Sequence, residues 1–140
     1  MYLQEVSALY SVEPIRSTRD AAEILRQEFY DAEREYFIAV YLDASGRPIS
    51  YHIAGIGCTN SVHFGVTSIF KVALLQNAVS VILCHNHPGG CLTPSNEDLS
   101  VTKDMVKVGE MLGVRVLDHI ILTPDNYTCL RETNGEIFVK

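Results

Sequence analysis

A chain of 140 residues with 47% hydrophobic side chains is sized for one domain with its own core and is too apolar to be a disordered tail. Its formal net charge of −6, with 11 basic residues none of which adjoins another, makes direct nucleic-acid binding an unfavourable expectation, because that affinity comes from Lys and Arg neutralising phosphates. Cys58, Cys84, Cys91 and Cys129 form no C-x-x-C pair, and neither a signal peptide nor a membrane-spanning run is expected, so the reading is a cytoplasmic chain with reduced thiols.

Taken in chain order, residues 1–16 read as an extended lead-in and residues 17–140 as the folded domain. Ser17 starts a helix with Asp20 as its capping partner; Ala21, Ile24, Leu25 and Phe29 follow helical spacing, and the helix should end near Glu33. Tyr36 to Leu42 is a continuous apolar, β-branched run, the mark of a strand buried on both faces. A turn at residues 43–46 returns the chain as a second strand, Ile49 to Ile56, giving a hairpin. Residues 57–64 read as a short strand or a loop. Thr67 or Ser68 is expected to cap a second helix carrying Ile69, Phe70, Ala73 and Leu74.

Val79 to Cys84 is another buried strand, followed by a Pro- and Gly-rich loop from His85 to Gly90. Ser95 opens a third helix through Leu99, Met105, Val106 and Leu112, closed at Gly113. Val114 to Leu122 follows as a strand. Tyr127 to Leu130 and Ile137 to Val139 are expected to pair across Asn134-Gly135, a type I′ turn signal. Alternating helices and buried strands predict an α/β domain with helices on both faces of one mixed sheet.

The segment that carries chemistry is His85-x-His87-Pro88 with Ser95 and Asp98 beyond it. Two histidines spaced i, i+2 at the end of a strand point to the same side. Asp98 lies one turn into the helix opened by Ser95, and a loop with Pro88, Gly89, Gly90 and Pro94 can fold it back to meet them. Two imidazoles and a carboxylate supply three ligands for Zn2+ and leave its fourth tetrahedral position open, as a catalytic site requires. The plainer reading makes the histidines a polar strand end, and Ser95 with Asp98 an S-x-x-D capping box. Cys84 and Cys91 flank the segment as possible substitute ligands, although Cys84 points opposite to His85 and suits the core. Asp118 and His119 cannot both enter one site from a strand, so His119 is expected to pack or to support the ligands from behind. Asn86 is expected to shape the loop or to donate hydrogen bonds nearby.

H-x-H-P-x(6)-S-x-x-D resembles the JAMM motif of the JAB/MPN metalloprotease superfamily. The context of Pro94-Ser95, Asp98, Thr102 and Asp118-His119-Ile120-Ile121 is similar to its RadC branch, over about residues 17 to 132. The resemblance implies a single JAB/MPN-like domain with a cytidine-deaminase-like layered architecture. It further implies Zn2+ held by His85, His87 and Asp98, Glu35 as general base, and Ser95 as a donor to the oxyanion. The implied reaction is zinc-dependent hydrolysis of a peptide or isopeptide bond in an unknown protein or peptide substrate. This sequence departs from the RadC pattern at Gly89-Gly90, where Ser-Gly is usual. It also departs at Val66-Thr67-Ser68-Ile69-Phe70, where Pro-Arg-Glu-Ile-Phe is usual.

RadC proteins also carry a helical N-terminal region of DNA-binding character, for which the sixteen residues before the first helix are too few. The competing function, which the RadC resemblance implies, is a non-catalytic module associated with DNA repair or mobile elements, with direct DNA binding disfavoured by the acidic net charge. Zinc deamination is disfavoured because His-x-Glu and Pro-Cys-x-x-Cys are both missing.

Overall fold

The computed structural model describes residues 6–8, 14–29, 35–56 and 62–138. Its frame is one six-stranded mixed sheet in the order β1-β3-β2-β4-β5-β6. The strands are β1 (Val6–Ala8), β2 (Tyr36–Leu42), β3 (Pro48–Ile56), β4 (Ser80–Asn86), β5 (Arg115–Leu122) and β6 (Tyr127–Cys129). Within the lead-in, β1 pairs antiparallel with β3.

The expected hairpin forms from β2 and β3, and its turn is tied by Asp43, whose Oδ1 accepts from the backbone of Ser45 and Arg47. β2 runs antiparallel to β4, and β4 runs parallel to β5. A parallel pair needs a crossover, here supplied by helix α3 (Asn96–Leu112).

Both sheet faces are covered, which is why β2 and β4 are buried almost throughout. Ala21, Ala22 and Leu25 of helix α1 (Thr18–Phe29) pack on Ile38, Val40, Leu42, Ile82, Cys84 and Ile120. On the other face Ile69, Phe70 and Ala73 of helix α2 (Val62–Leu75) and Met105 of α3 pack on Ala39, Tyr41, Val81, Leu83 and Ile121. Strict alternation along β2 and β4 sends neighbouring residues to opposite clusters. No described helix is long and apolar enough to cross a membrane.

Several boundaries differ from expectation. The predicted end of α1 near Glu33, and residues 57–61, lie outside the described residues. Helix α2 begins at Val62, so residues 62–64 are helical where a strand or loop was expected, and Thr67 and Ser68 lie inside the helix instead of at its start. The hydroxyl of Ser68 instead lies 3.1 Å from Nε2 of His52 on β3. The strand β4 continues through His85 and Asn86, because both keep pairing with β5 opposite Ile121 and Leu122.

The terminal hairpin is absent among the described residues. Asn134 has φ −138°, whereas a type I′ turn needs positive φ. The chain instead makes a short helix α4 (Leu130–Thr133) and a 3₁₀ turn (Gly135–Phe138), which bring Leu130 and Phe138 into the α3-side cluster. The N–H of Arg131 at the start of α4 donates to Oδ1 of the buried Asp118.

Candidate metal centre

His85 and His87 project from the C-terminal end of β4 toward the α3 side, while Asn86 between them points the other way. Its Oδ1 accepts from the backbone N–H of Tyr36 at 2.8 Å, which fixes the mouth of β2. Asn86 therefore shapes the backbone. Asp98 arrives from α3 through a complete capping box. Ser95 Oγ accepts from the Asp98 N–H at 3.0 Å, and Asp98 Oδ2 accepts from the Ser95 N–H at 2.8 Å. Cap and candidate ligand are thus the same residue, and the two readings of Ser95 and Asp98 do not compete.

His85, His87 and Asp98 each offer a donor atom, all within 4.8 Å of one another. His85 Nε2 lies 2.8 Å from His87 Nε2 and 3.4 Å from Asp98 Oδ1; His87 Nε2 lies 3.7 Å from Asp98 Oδ2. Two ligands about 2.0–2.1 Å from a tetrahedral ion stand ~3.3 Å apart, so the carboxylate separations suit such an ion and the imidazole pair needs only to open slightly.

The outer hydrogen bonds say which ring nitrogens carry protons. His87 Nδ1 is 2.7 Å from the carbonyl oxygen of Cys91, an acceptor only, so Nδ1 donates and a neutral His87 has a bare Nε2. Thr102 Oγ1 donates its one proton to the carbonyl of Asp98 at 2.6 Å. The 2.6 Å contact between Thr102 Oγ1 and His119 Nδ1 then requires His119 to donate, leaving His119 Nε2 as an acceptor. His85 Nδ1, 2.8 Å from it, must donate in turn, so a neutral His85 also has a bare Nε2.

Two bare lone pairs 2.8 Å apart beside a carboxylate repel unless something positive lies among them, either a proton or a metal ion. The residues fit a divalent metal on this ground. Burial raises the Asp98 carboxyl, but when His85 Nε2 holds the proton that stands in for a metal ion, its hydrogen bond and charge, together with the Ser95 N–H, outweigh burial and hold the group well below the usual carboxylate range. Burial also drives His119 well below the usual imidazole range, with the neighbouring His85 acting in the same direction.

Glu35 is exposed and stands immediately before β2. The β2–β4 ladder ends where Phe37 pairs with His85, two residues after Glu35, so Glu35 stands just beyond the end of the strand pair that carries His85. Phe37 stacks on His85, with ring centroids 5.9 Å apart at 9°, and meets His119 edge-on at 5.4 Å. Cys84 fills the α1-side cluster as expected, and burial pushes its thiol far up. Cys91 serves through its carbonyl, while its thiol is exposed.

Asp118 and His119 do face opposite sides. Asp118 takes Thr18 Oγ1 of α1, and His119 meets Thr102 of α3. A β-bulge decides this arrangement: Val81 pairs with Val116 and Ile82 with Asp118, so Leu117 is an extra residue that shifts the alternation. Simple alternation from Val116 would have turned His119 away from the ligands. Thr102 is a site residue to which sequence reasoning gave no role, although its spacing four residues after Asp98 on a helix was the available signal. Phe37 and the Cys91 carbonyl carried no comparable mark.

A family profile described as RadC-like JAB domain matches residues 15–135. Among curated proteins, a UPF0758 protein of Desulforamulus reducens is 38% identical over 117 residues, 84% of this chain and 52% of the relative. One from Chloroflexus aggregans is 39% identical over 119 residues, 85% of this chain and 52% of the relative. One from Methanosarcina mazei is 36% identical over 126 residues, 90% of this chain and 54% of the relative. The chain spans about half the length of these relatives, and their names state no activity.

Proposed function

The chain belongs to the RadC-like JAB domain family, and on that footing we propose that it is a zinc-dependent hydrolase that cleaves a peptide or isopeptide bond. The observation that carries the reading is the pair of bare Nε2 atoms 2.8 Å apart beside Asp98, an arrangement that calls for a cation.

His85, His87 and Asp98 would hold zinc, whose chemistry is to supply an acidified water near neutral pH and a Lewis acid for a carbonyl oxygen. Glu35, two residues before the Phe37 that pairs with His85, would take the proton of the attacking water and return it to the leaving amine. Ser95 Oγ already accepts from the Asp98 N–H, so its own proton is what it can offer to the oxyanion. The amide class of substrate is the family's chemistry carried to this site. The match covers 52% of the relative, and the protein or peptide bearing the amide is what the substrate panel below identifies.

The test is hydrolysis of a panel of peptides and isopeptide conjugates by zinc-loaded and chelated protein. Chelation should abolish turnover, and Glu35→Gln should keep zinc while losing hydrolysis. Full activity in Glu35→Gln would remove Glu35 as the base. Zinc held with no turnover on any substrate would leave the non-catalytic module as the better reading.

A further inference from the structure

A neutral imidazole carries one proton and can place it on either nitrogen, so a histidine ligand works only if something outside the site chooses for it. For His87 the choice is made by the Cys91 carbonyl. For His85 it is made by a second imidazole, which faces the same ambiguity. His119 could accept from His85 or donate to it, and only the first arrangement frees His85 Nε2.

We propose that Thr102 and His119 are positioning residues that lock His85 in the tautomer presenting a bare Nε2. The inference rests on the metal-centre reading and adds residues to it. The direction of the chain is set at its far end. Thr102 Oγ1 has one proton, and its 2.6 Å contact with the Asp98 carbonyl consumes it, because a carbonyl has none to give. Every earlier link must then run toward Thr102: His85 Nδ1–H to His119 Nε2, and His119 Nδ1–H to Thr102 Oγ1.

The geometry leaves little freedom to reverse this order. Thr102 and His119 are both 0% exposed, so water does not compete for their bonds. Phe37 is parallel to the His85 ring, with centroids 5.9 Å apart, and edge-on to that of His119 at 5.4 Å, so an aromatic side chain lines both imidazoles. The chain also ends on the main chain of Asp98 itself. Ligands from β4 and α3 are thereby tied together by a path that avoids the metal point, and β5 supplies its middle member through the bulge at Leu117.

The discriminating variant is Thr102→Val, which keeps the shape and deletes the hydroxyl. His119 is then free to carry its proton on Nε2 and donate to His85, which moves the His85 proton to the ligand nitrogen. Zinc affinity, read by competition with a chromophoric chelator, should fall about 10- to 100-fold, and Thr102→Ser should restore it.

Long-range 15N–1H imidazole spectra of the metal-free protein supply a readout that a merely structural role would not move. In the wild type, His119 should carry its proton on Nδ1 and His85 should carry Nδ1–H, whatever proton lies between the two Nε2 atoms; in Thr102→Val, His119 should switch to Nε2–H and His85 should lose Nδ1–H. Wild-type affinity in Thr102→Val, or Nε2–H on His119 in the wild type, would overturn the proposal. The wild-type spectrum needs no variant to fold. Failure of the wild type to bind zinc would count against the metal centre, while the spectrum would still decide the tautomer.

Discussion

Ser95 meets Asp98 through two different groups, its hydroxyl and its backbone N–H. Its hydroxyl caps α3, and its backbone N–H, which an alanine would retain, orients Asp98. Ser95→Ala should therefore cost ~1 kcal/mol of stability, seen by urea unfolding of the metal-free protein. It should keep zinc and lower turnover about 10²- to 10³-fold if the hydroxyl serves the oxyanion. Loss of zinc in this variant would show that the cap, rather than the N–H, holds the carboxylate.

The cysteines give a second check at this scale. Burial pushes Cys129 up to about 11 and Cys84 higher, while Cys91 is exposed. Alkylation of the native protein should modify Cys91 and spare Cys84 and Cys129 until unfolding. The convergence of His85, His87 and Asp98 was legible because each sits in a short local pattern: i, i+2 on a strand, and a capping box on a helix. Thr102 and His119 meet only through the pairing of β4 with β5 and its bulge, which no local spacing announces.

At the scale of elements, α3 is held against β5 by two glycines that do different things. A Cβ at Gly109 would stand 2.2 Å from the carbonyl oxygen of Val114, so the helix end and the strand start cannot both keep their places. Gly113 has open space but a φ of +78°, the left-handed helix stop. Gly109→Ala should cost about 3 kcal/mol and Gly113→Ala about 1 kcal/mol in urea unfolding, and the reverse order would contradict this account. Helix α3 was legible end to end because Ser95 and Gly113 are strong punctuation. The start of α2 was not, because Thr67 and Ser68 have the chemistry of caps while lying inside the helix. Asn134-Gly135 misled for a related reason: the need to bury Leu130 and Phe138 on the α3 side overrode a local turn preference.

Across the whole molecule, the parallel pair β4–β5 with its α3 crossover brings a strand's C-terminal end and a helix's N-terminal turn to one point, where open α/β sheets place their sites. That layered plan was readable from alternating helices and buried runs, whereas strand order was not, since it depends on contacts between distant segments. Zinc that binds only the folded arrangement should stabilise it by about 2.7 kcal/mol at a free concentration 100-fold above Kd, visible as a rise in Tm that a chelator reverses.

The most direct test of the central claim is metal content, measured on untagged protein purified without chelator or added metal. The account predicts about one zinc per chain, lost in His87→Ala. No zinc in the wild type, and none taken up on titration, would contradict it and reduce Ser95 and Asp98 to a helix cap.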